Sequence, residues 1–276
     1  MKLYGIVDQN RVSSRWFTPL FSALGGVILV LILLALLVIA LPELASPSSL
    51  IRTAGDPDGV ESILITMGSG LIAVLFLMVT GTPLAYLTAR TTSRWKGLIE
   101  GIIDIPLILP HTVAGLMVYF LFMSRGVIGA PFAWGGIFFE DAWPGIVAAM
   151  VFVSSPYYID AVREGFVKVP LHLENVARTL GASRFQAFVR VTLPLSFRHI
   201  CSGAFLAWGR AIGEFAAVIM IAYYPMVISA LIYTRFTTNG IAESRGIAFL
   251  MILVSLGVFI TARYLIGHIW REHDRA

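Results

Sequence analysis

Residues 208–222 read WGRAIGEFAAVIMIA, an apolar run of membrane length with an arginine and a glutamate at its centre. A charge in hydrocarbon is costly enough that Arg210 and Glu214 must face protein, water or each other. They stand one helical turn apart, on one face, so an ion pair would neutralise both. Such a pair either holds helices together or lines a path for a charged solute, and these residues alone leave both readings open. Gly209 and Gly213 add a small-xxx-small face that lets another helix approach closely, in a dimer seam or within the chain. Bond-making chemistry has no comparable support. The chain contains no G-x-x-x-x-G-K-[ST] phosphate loop, no G-x-S-x-G and no His/Cys/carboxylate cluster with metal-ligand spacing.

A second constellation lies in residues 105–115, IPLILPHTVAG. Pro106 and Pro110 each remove an intrahelical hydrogen bond, one turn apart, so a helix here should kink or loosen. A kinked helix beside a pore is a natural gate, and also a common way to fit curved packing. Asp104 near the same helix end reads as a structural partner for a loop cation, and Asp160 with Arg163 reads the same way.

The third constellation is polar. Within residues 163–200, Pro170 suits the start of a helix. Leu173, Val176, Ala177 and Leu180 then form one apolar stripe at i, i+3, i+4 and i+7. Gly181 stops that helix in a left-handed conformation, and Ser183 with Gln186 forms a capping box for the next. The second helix is expected to run through Phe185, Phe188 and Val189 until Leu193-Pro194 ends it. A short helix between hard stops either packs on its own bundle or fits a groove on a partner.

The elements that must position these residues are membrane helices. The chain is 58% hydrophobic and only 13% charged over 276 residues, against roughly 25% charged in ordinary soluble domains. A hydrocarbon core about 30 Å thick takes roughly 20 apolar residues per crossing. Six segments qualify: 21–41, 62–89, 99–123, 143–162, 202–223 and 246–269. The first is too long, and starts too far from the amino terminus, to be a signal peptide. The single cysteine, Cys201, excludes an intrachain disulfide. Fifteen basic residues fall in the amino-terminal arm, the second and fourth loops and the carboxyl end, against four in the alternate loops. The positive-inside rule therefore puts both termini in the cytoplasm. Topology explains the surplus of basic residues, and no nucleic-acid partner is needed.

The third constellation resembles the cytoplasmic EAA loop of ABC-importer permeases, whose pattern is E-A-A, three residues, Gly, nine residues, Ile, one residue, Leu-Pro. Here the glycine is Gly181, the hydrophobic position Val191, and Leu193-Pro194 closes the motif in register. The triplet falls on Asn175, Val176 and Ala177, with Glu174 beside the family's glutamate position. IPLILPHTVAG, GRAIGEF (209–215) and YTRF (233–236) resemble stretches of molybdate, tungstate and sulfate permeases, and His111 after Pro110 is closest to the molybdate/tungstate branch.

The resemblance implies an all-α integral membrane protein with the type I ABC importer permease fold: six transmembrane helices, both termini cytoplasmic, in the plasma membrane of a prokaryote. It implies an arm (1–20), a first helix and external loop (21–61), a five-helix core (62–269) with the coupling loop 163–200, and a tail (270–276). It further implies a homodimer in the lipid bilayer, two cytoplasmic ABC ATPase subunits and an external oxyanion-binding protein. The chain itself carries no cofactor and is not an enzyme; ATP and Mg belong to the ATPase. The coupling residues implied are Pro170, Leu173, Glu174, Asn175, Val176, Ala177, Leu180, Gly181 and Arg184. Pro106, Pro110, His111, Arg210 and Glu214 are the gate or pore candidates. The expected cargo is molybdate or tungstate, with sulfate or thiosulfate as the alternative. A secondary ion-coupled carrier is the rival of another class. It would usually show internal repeats and unpaired midplane acids, and it would have no use for a docking loop.

Overall fold

The computed structural model describes the backbone of residues 9–273 and the side chains of residues 17–261 and 264. Residues 1–8 of the expected arm and 274–276 of the expected tail lie outside the described residues. Every regular element described is helical: α1 (Gln9–Leu44), α2 (Pro47–Ala54), α3 (Pro57–Arg90), α4 (Lys96–Ile108), α5 (His111–Phe122), α6 (Gly129–Trp134), α7 (Trp143–Lys168), α8 (Leu171–Thr179), α9 (Arg184–Ala187), a π turn (Phe188–Thr192), α10 (Leu193–Ile212), α11 (Ala216–Ile221), α12 (Ile228–Asn239) and α13 (Ile241–His273).

The core is built around α7, which packs against α3 and α10. Val74, Leu77, Tyr158, Ile159, Val162 and Ala207 join these three helices at one end. Ala114, Val118, Ile146, Met150, Val153, Ala217 and Val218 join α5, α7 and α11 at the other. The two clusters together exclude water along most of α7. By contrast α1 is peripheral. None of its apolar window is buried, and it is tied at one end by Glu43, which accepts from Arg245 at 2.8 Å and from the Ser49 hydroxyl at 3.3 Å.

Among the described residues, four helices are long and apolar enough to cross a bilayer, or five if α4 and α5 count as one broken span. The expected third crossing, 99–123, is bent by 113° between α4 and α5. The break falls at Leu109, extended at ψ 142° just before Pro110, because a residue before proline is pushed out of the helical region. Pro106, in contrast, sits buried within α4.

The expected fifth crossing, 202–223, is not one helix. It starts earlier, at Leu193, stops at Ile212 and resumes at Ala216. Leu193-Pro194 does not end the preceding helix either. The chain passes through it by a π turn, in which the Leu193 N–H reaches back five residues to the Phe188 carbonyl. The wider turn accommodates a proline ring that an α-helical turn would clash with.

At Gly115 two helices meet with no room for a side chain. A Cβ there would lie 2.7 Å from the Cα of Ala217 and 2.8 Å from its carbonyl oxygen. Glycine therefore lets α5 meet α11 backbone to backbone, and so brings the two helix breaks together.

Candidate functional site

At the junction of the two breaks, Glu214 lies 2% exposed. Its Oε1 accepts the Ala217 N–H at 2.8 Å, and its Oε2 accepts from Arg210 Nη2 at 2.7 Å. The carboxylate thus replaces a backbone acceptor where the helix is interrupted, as a buried N–H requires. The Ser229 hydroxyl donates to the Glu214 carbonyl at 2.9 Å. His111, the first residue of α5, stands across the break with Nδ1 3.4 Å from Glu214 Oε2. Arg210 Nη2 lies 2.9 and 3.1 Å from the two His111 ring nitrogens. The Tyr157 ring lies 6.0 Å from the guanidinium carbon, in cation–π range.

Exposure is uneven across this group. The Glu214 side chain is 3% exposed, Arg210 18% and His111 47%. The anion closes the inner end and the nitrogen groups face outward. Of the five gate or pore candidates, His111, Arg210 and Glu214 come together, Pro110 sets the bend beside them, and Pro106 stays in the core. The Arg210–Glu214 pair was readable from its spacing. His111 comes from 99 residues away, and only its position after the breaking proline hinted at it.

The second site is the loop after α7. Pro170 immediately precedes α8, and Gly181 follows it at φ +95°, the left-handed stop expected of it. Ser183 and Gln186 form the reciprocal capping box of α9. The apolar stripe splits, however. Leu173 and Ala177 are half-buried, whereas Val176 is 53% and Leu180 83% exposed. Asn175 and Arg184 are exposed.

The buried anchor of α8 is polar. Glu174 accepts from Arg90 at 2.6 and 2.9 Å, from the Tyr86 hydroxyl at 2.8 Å and from the Thr192 hydroxyl at 2.7 Å. Arg90 also donates to the Val169 carbonyl at 3.0 Å. Burial alone would raise the carboxyl's pKa; the donors Thr192, Tyr86 and Arg90 outweigh it and hold it below its ordinary value. The gripping carboxylate therefore stands one residue before the position that the motif register assigns to the glutamate. Arg90 and Tyr86, on α3, could not be found from the loop's own sequence.

Asp104 does not pair with a loop cation. One of its carboxylate oxygens is buried without a hydrogen bond. The nearby cation, Arg163, instead meets Asp160 at 3.0 Å and Glu100.

Comparison with known proteins matches residues 81–271 to the family described as "Binding-protein-dependent transport system inner membrane component". The molybdate/tungstate transport system permease protein WtpB of Thermococcus kodakarensis is 40% identical over 252 residues, covering 90% of this chain and 95% of the relative. The molybdenum transport system permease protein ModB of Escherichia coli K12 is 34% identical, covering 74% and 90%. Among solved structures, a chain of the bacterial alginate ABC transporter in complex with alginate pentasaccharide-bound periplasmic protein superposes at TM-score 0.71. It is 18% identical, with 98% of each chain covered, and the likeness is one of fold.

Proposed function

The chain belongs to the family of binding-protein-dependent transport-system inner-membrane components, and from that premise we propose that it is the permease subunit of an ATP-driven importer for a tetrahedral oxyanion, molybdate or tungstate. The substrate class is supported by relatives whose names specify molybdate and tungstate, one of them 40% identical over 90% of the chain. The observation that carries the mechanism is α8, clamped to the bundle through Glu174 while Val176 and Leu180 stay exposed. A helix held rigidly behind and left apolar in front suits a groove on a second protein.

Six crossings with both termini inside follow if α4–α5 and α10–α11 each cross as a broken span; the distribution of basic residues supports that orientation. Two copies of the chain enclose a path near their two-fold axis, with an ATPase bound to each copy's α8 and an oxyanion-binding protein outside. A dianion in hydrocarbon would lose its hydration without compensation, so it needs a protein-lined, water-accessible route. That route must hold the ion weakly for release, which leaves selection mainly to the external receptor. ATP and Mg act on the partner subunit. Closure of the ATPase pair draws the two α8 helices together and tilts the bundles.

The test is ATPase activity in proteoliposomes containing this chain and its ATPase, with the external receptor empty or loaded with molybdate, tungstate or sulfate. Stimulation by molybdate- or tungstate-loaded receptor, and not by sulfate-loaded receptor, is expected. Uptake that proceeds without any ATPase would overturn the proposal in favour of a secondary carrier.

A further inference from the structure

We propose that Glu214 is an internal stand-in for the transported anion: its carboxylate occupies the place on Arg210 and His111 that a tetrahedral dianion takes during passage, so that the two exchange on one guanidinium. This rests on the oxyanion-permease reading and assigns a role to residues which that reading leaves unassigned.

Three features of the geometry support exchange over a static pair. The first is economy of contact. Arg210 commits one nitrogen, Nη2, to both Glu214 and His111. Arg90 by contrast grips Glu174 with two, Nε and Nη2. A guanidinium has five donors in a fork suited to a bidentate oxyanion, so Arg210 retains donors for an incoming one. The second is the gradient of exposure. The carboxylate is almost fully enclosed, while Arg210 and His111 are 18% and 47% exposed at the side chain. An arriving anion meets the nitrogens first. The third is placement. The site stands where two interrupted helices meet, and α5 begins at His111, so the positive end of its dipole falls there.

Glu214 also explains why binding stays weak. With Glu214 on Arg210 the ion pair is neutral, so a dianion that lands on the remaining donors gains the full guanidinium charge only by displacing a fixed carboxylate. The carboxylate keeps the Ala217 N–H when it yields Arg210, so it returns once the anion leaves. A path built this way offers a cation to every anion and lets none stay.

The test measures equilibrium binding of radiolabelled molybdate to the full chain in lipid nanodiscs, without receptor or ATPase, at fixed ionic strength. The unmodified chain should bind weakly. Glu214→Gln removes the competing charge and should tighten binding about tenfold or more. Adding Arg210→Gln to that variant should erase the gain. Glu214→Asp keeps the charge but shortens its reach, and should give a smaller gain in the same direction. If both Glu214 variants fold and bind no more tightly than the unmodified chain, exchange is refuted. If neither folds, the pair is purely structural and the proposal is equally overturned. Receptor-stimulated ATPase of the unmodified complex tests the permease reading separately: its presence without the binding gain sinks the exchange alone.

Discussion

Glu174 and Glu214 each meet an arginine Nη2, at 2.6 and 2.7 Å, with side chains 7% and 3% exposed. Similar distances and burial conceal opposite constructions. Glu174 joins elements 84, 88 and 18 residues away, through Arg90, Tyr86 and Thr192. Glu214 takes its arginine from its own preceding turn and one backbone N–H three residues on. Among the described residues the exposed His111 is the one side chain from another helix that reaches this carboxylate; Ser229 of α12 bonds the Glu214 backbone carbonyl instead. The first arrangement fixes an element to the bundle, because moving it breaks several bonds at once. The second can change one bond at a time. A buried ion pair is thus no sign of rigidity by itself. What decides is how many independent elements converge on it, and whether its partner has somewhere else to go.

The largest expected difference comes from breaking each in turn. Glu174→Ala leaves the largely buried Arg90 charge without its counter-ion and two hydroxyls without their acceptor, a loss of about 3–5 kcal/mol. In nanodiscs the variant should melt earlier, be cut readily between residues 169 and 192, and show no receptor-stimulated ATPase. Glu214→Gln should cost clearly less, because the amide oxygen can still accept the Ala217 N–H and one bond within a single helix end is altered where Glu174 joins three distant elements. Equal losses of melting temperature would erase the distinction between the two sites.

The backbone around the two sites sharpens the contrast. Gly181 follows α8 at φ +95°, with open space where a Cβ would stand. Gly181→Ala therefore has only backbone strain to overcome, about 1–2 kcal/mol, and should loosen the turn between α8 and α9. Gly213, at the break beside Glu214, has φ −84°. A Cβ there would meet its own helix carbonyls at 3.7 and 3.9 Å, ordinary contact. Gly213→Ala should be neutral, or stabilising by about 0.4–1 kcal/mol. Paired thermal melts decide both, and a costly Gly213→Ala would mean that this break must flex through its glycine.

Gly181 also marks how far the sequence could be read. Local rules found the α8 stop, the capping box at Ser183 and the bend at Pro110, because each depends on neighbours within a turn. The i, i+4 spacing likewise disclosed Arg210 with Glu214. The partners of Glu174 and the arrival of His111 are tertiary, and no local periodicity carries them. The break at 213–215 escaped for a different reason: no proline marks it, and an unbroken apolar run reads as an unbroken helix. The Leu193-Pro194 stop failed because a π turn lets the helix pass a proline without ending.

Acid should separate the sites more gently. The Glu174 carboxyl is held below its ordinary value, so its contribution is complete above the unfolded value of about 4.3 and is lost as pH falls through the depressed folded value. Between pH 8 and 5 the melting temperature should not respond through this group. Below about pH 4 docking of α8 should weaken, and Glu174→Gln should remove that acid limb. A transition nearer neutrality that vanishes in the same variant would mean that the donors do not outweigh burial.

The smallest effect on stability should accompany a large effect on function. Leu180 is 83% exposed, so Leu180→Asp removes no internal packing and should shift stability by no more than about 0.5 kcal/mol. If α8 is fixed from behind by Glu174 so that its front can press on an ATPase, one charge on that front suffices to prevent docking. Insertion, melting temperature and protease resistance should match the unmodified chain, while receptor-stimulated ATPase falls to the receptor-free rate. Restored coupling in Leu180→Met, which returns an apolar side chain of similar volume, would separate lost contact from misfolding. Full coupling in Leu180→Asp would instead place the docking surface elsewhere, and would leave the Glu174 clamp as a feature of folding alone.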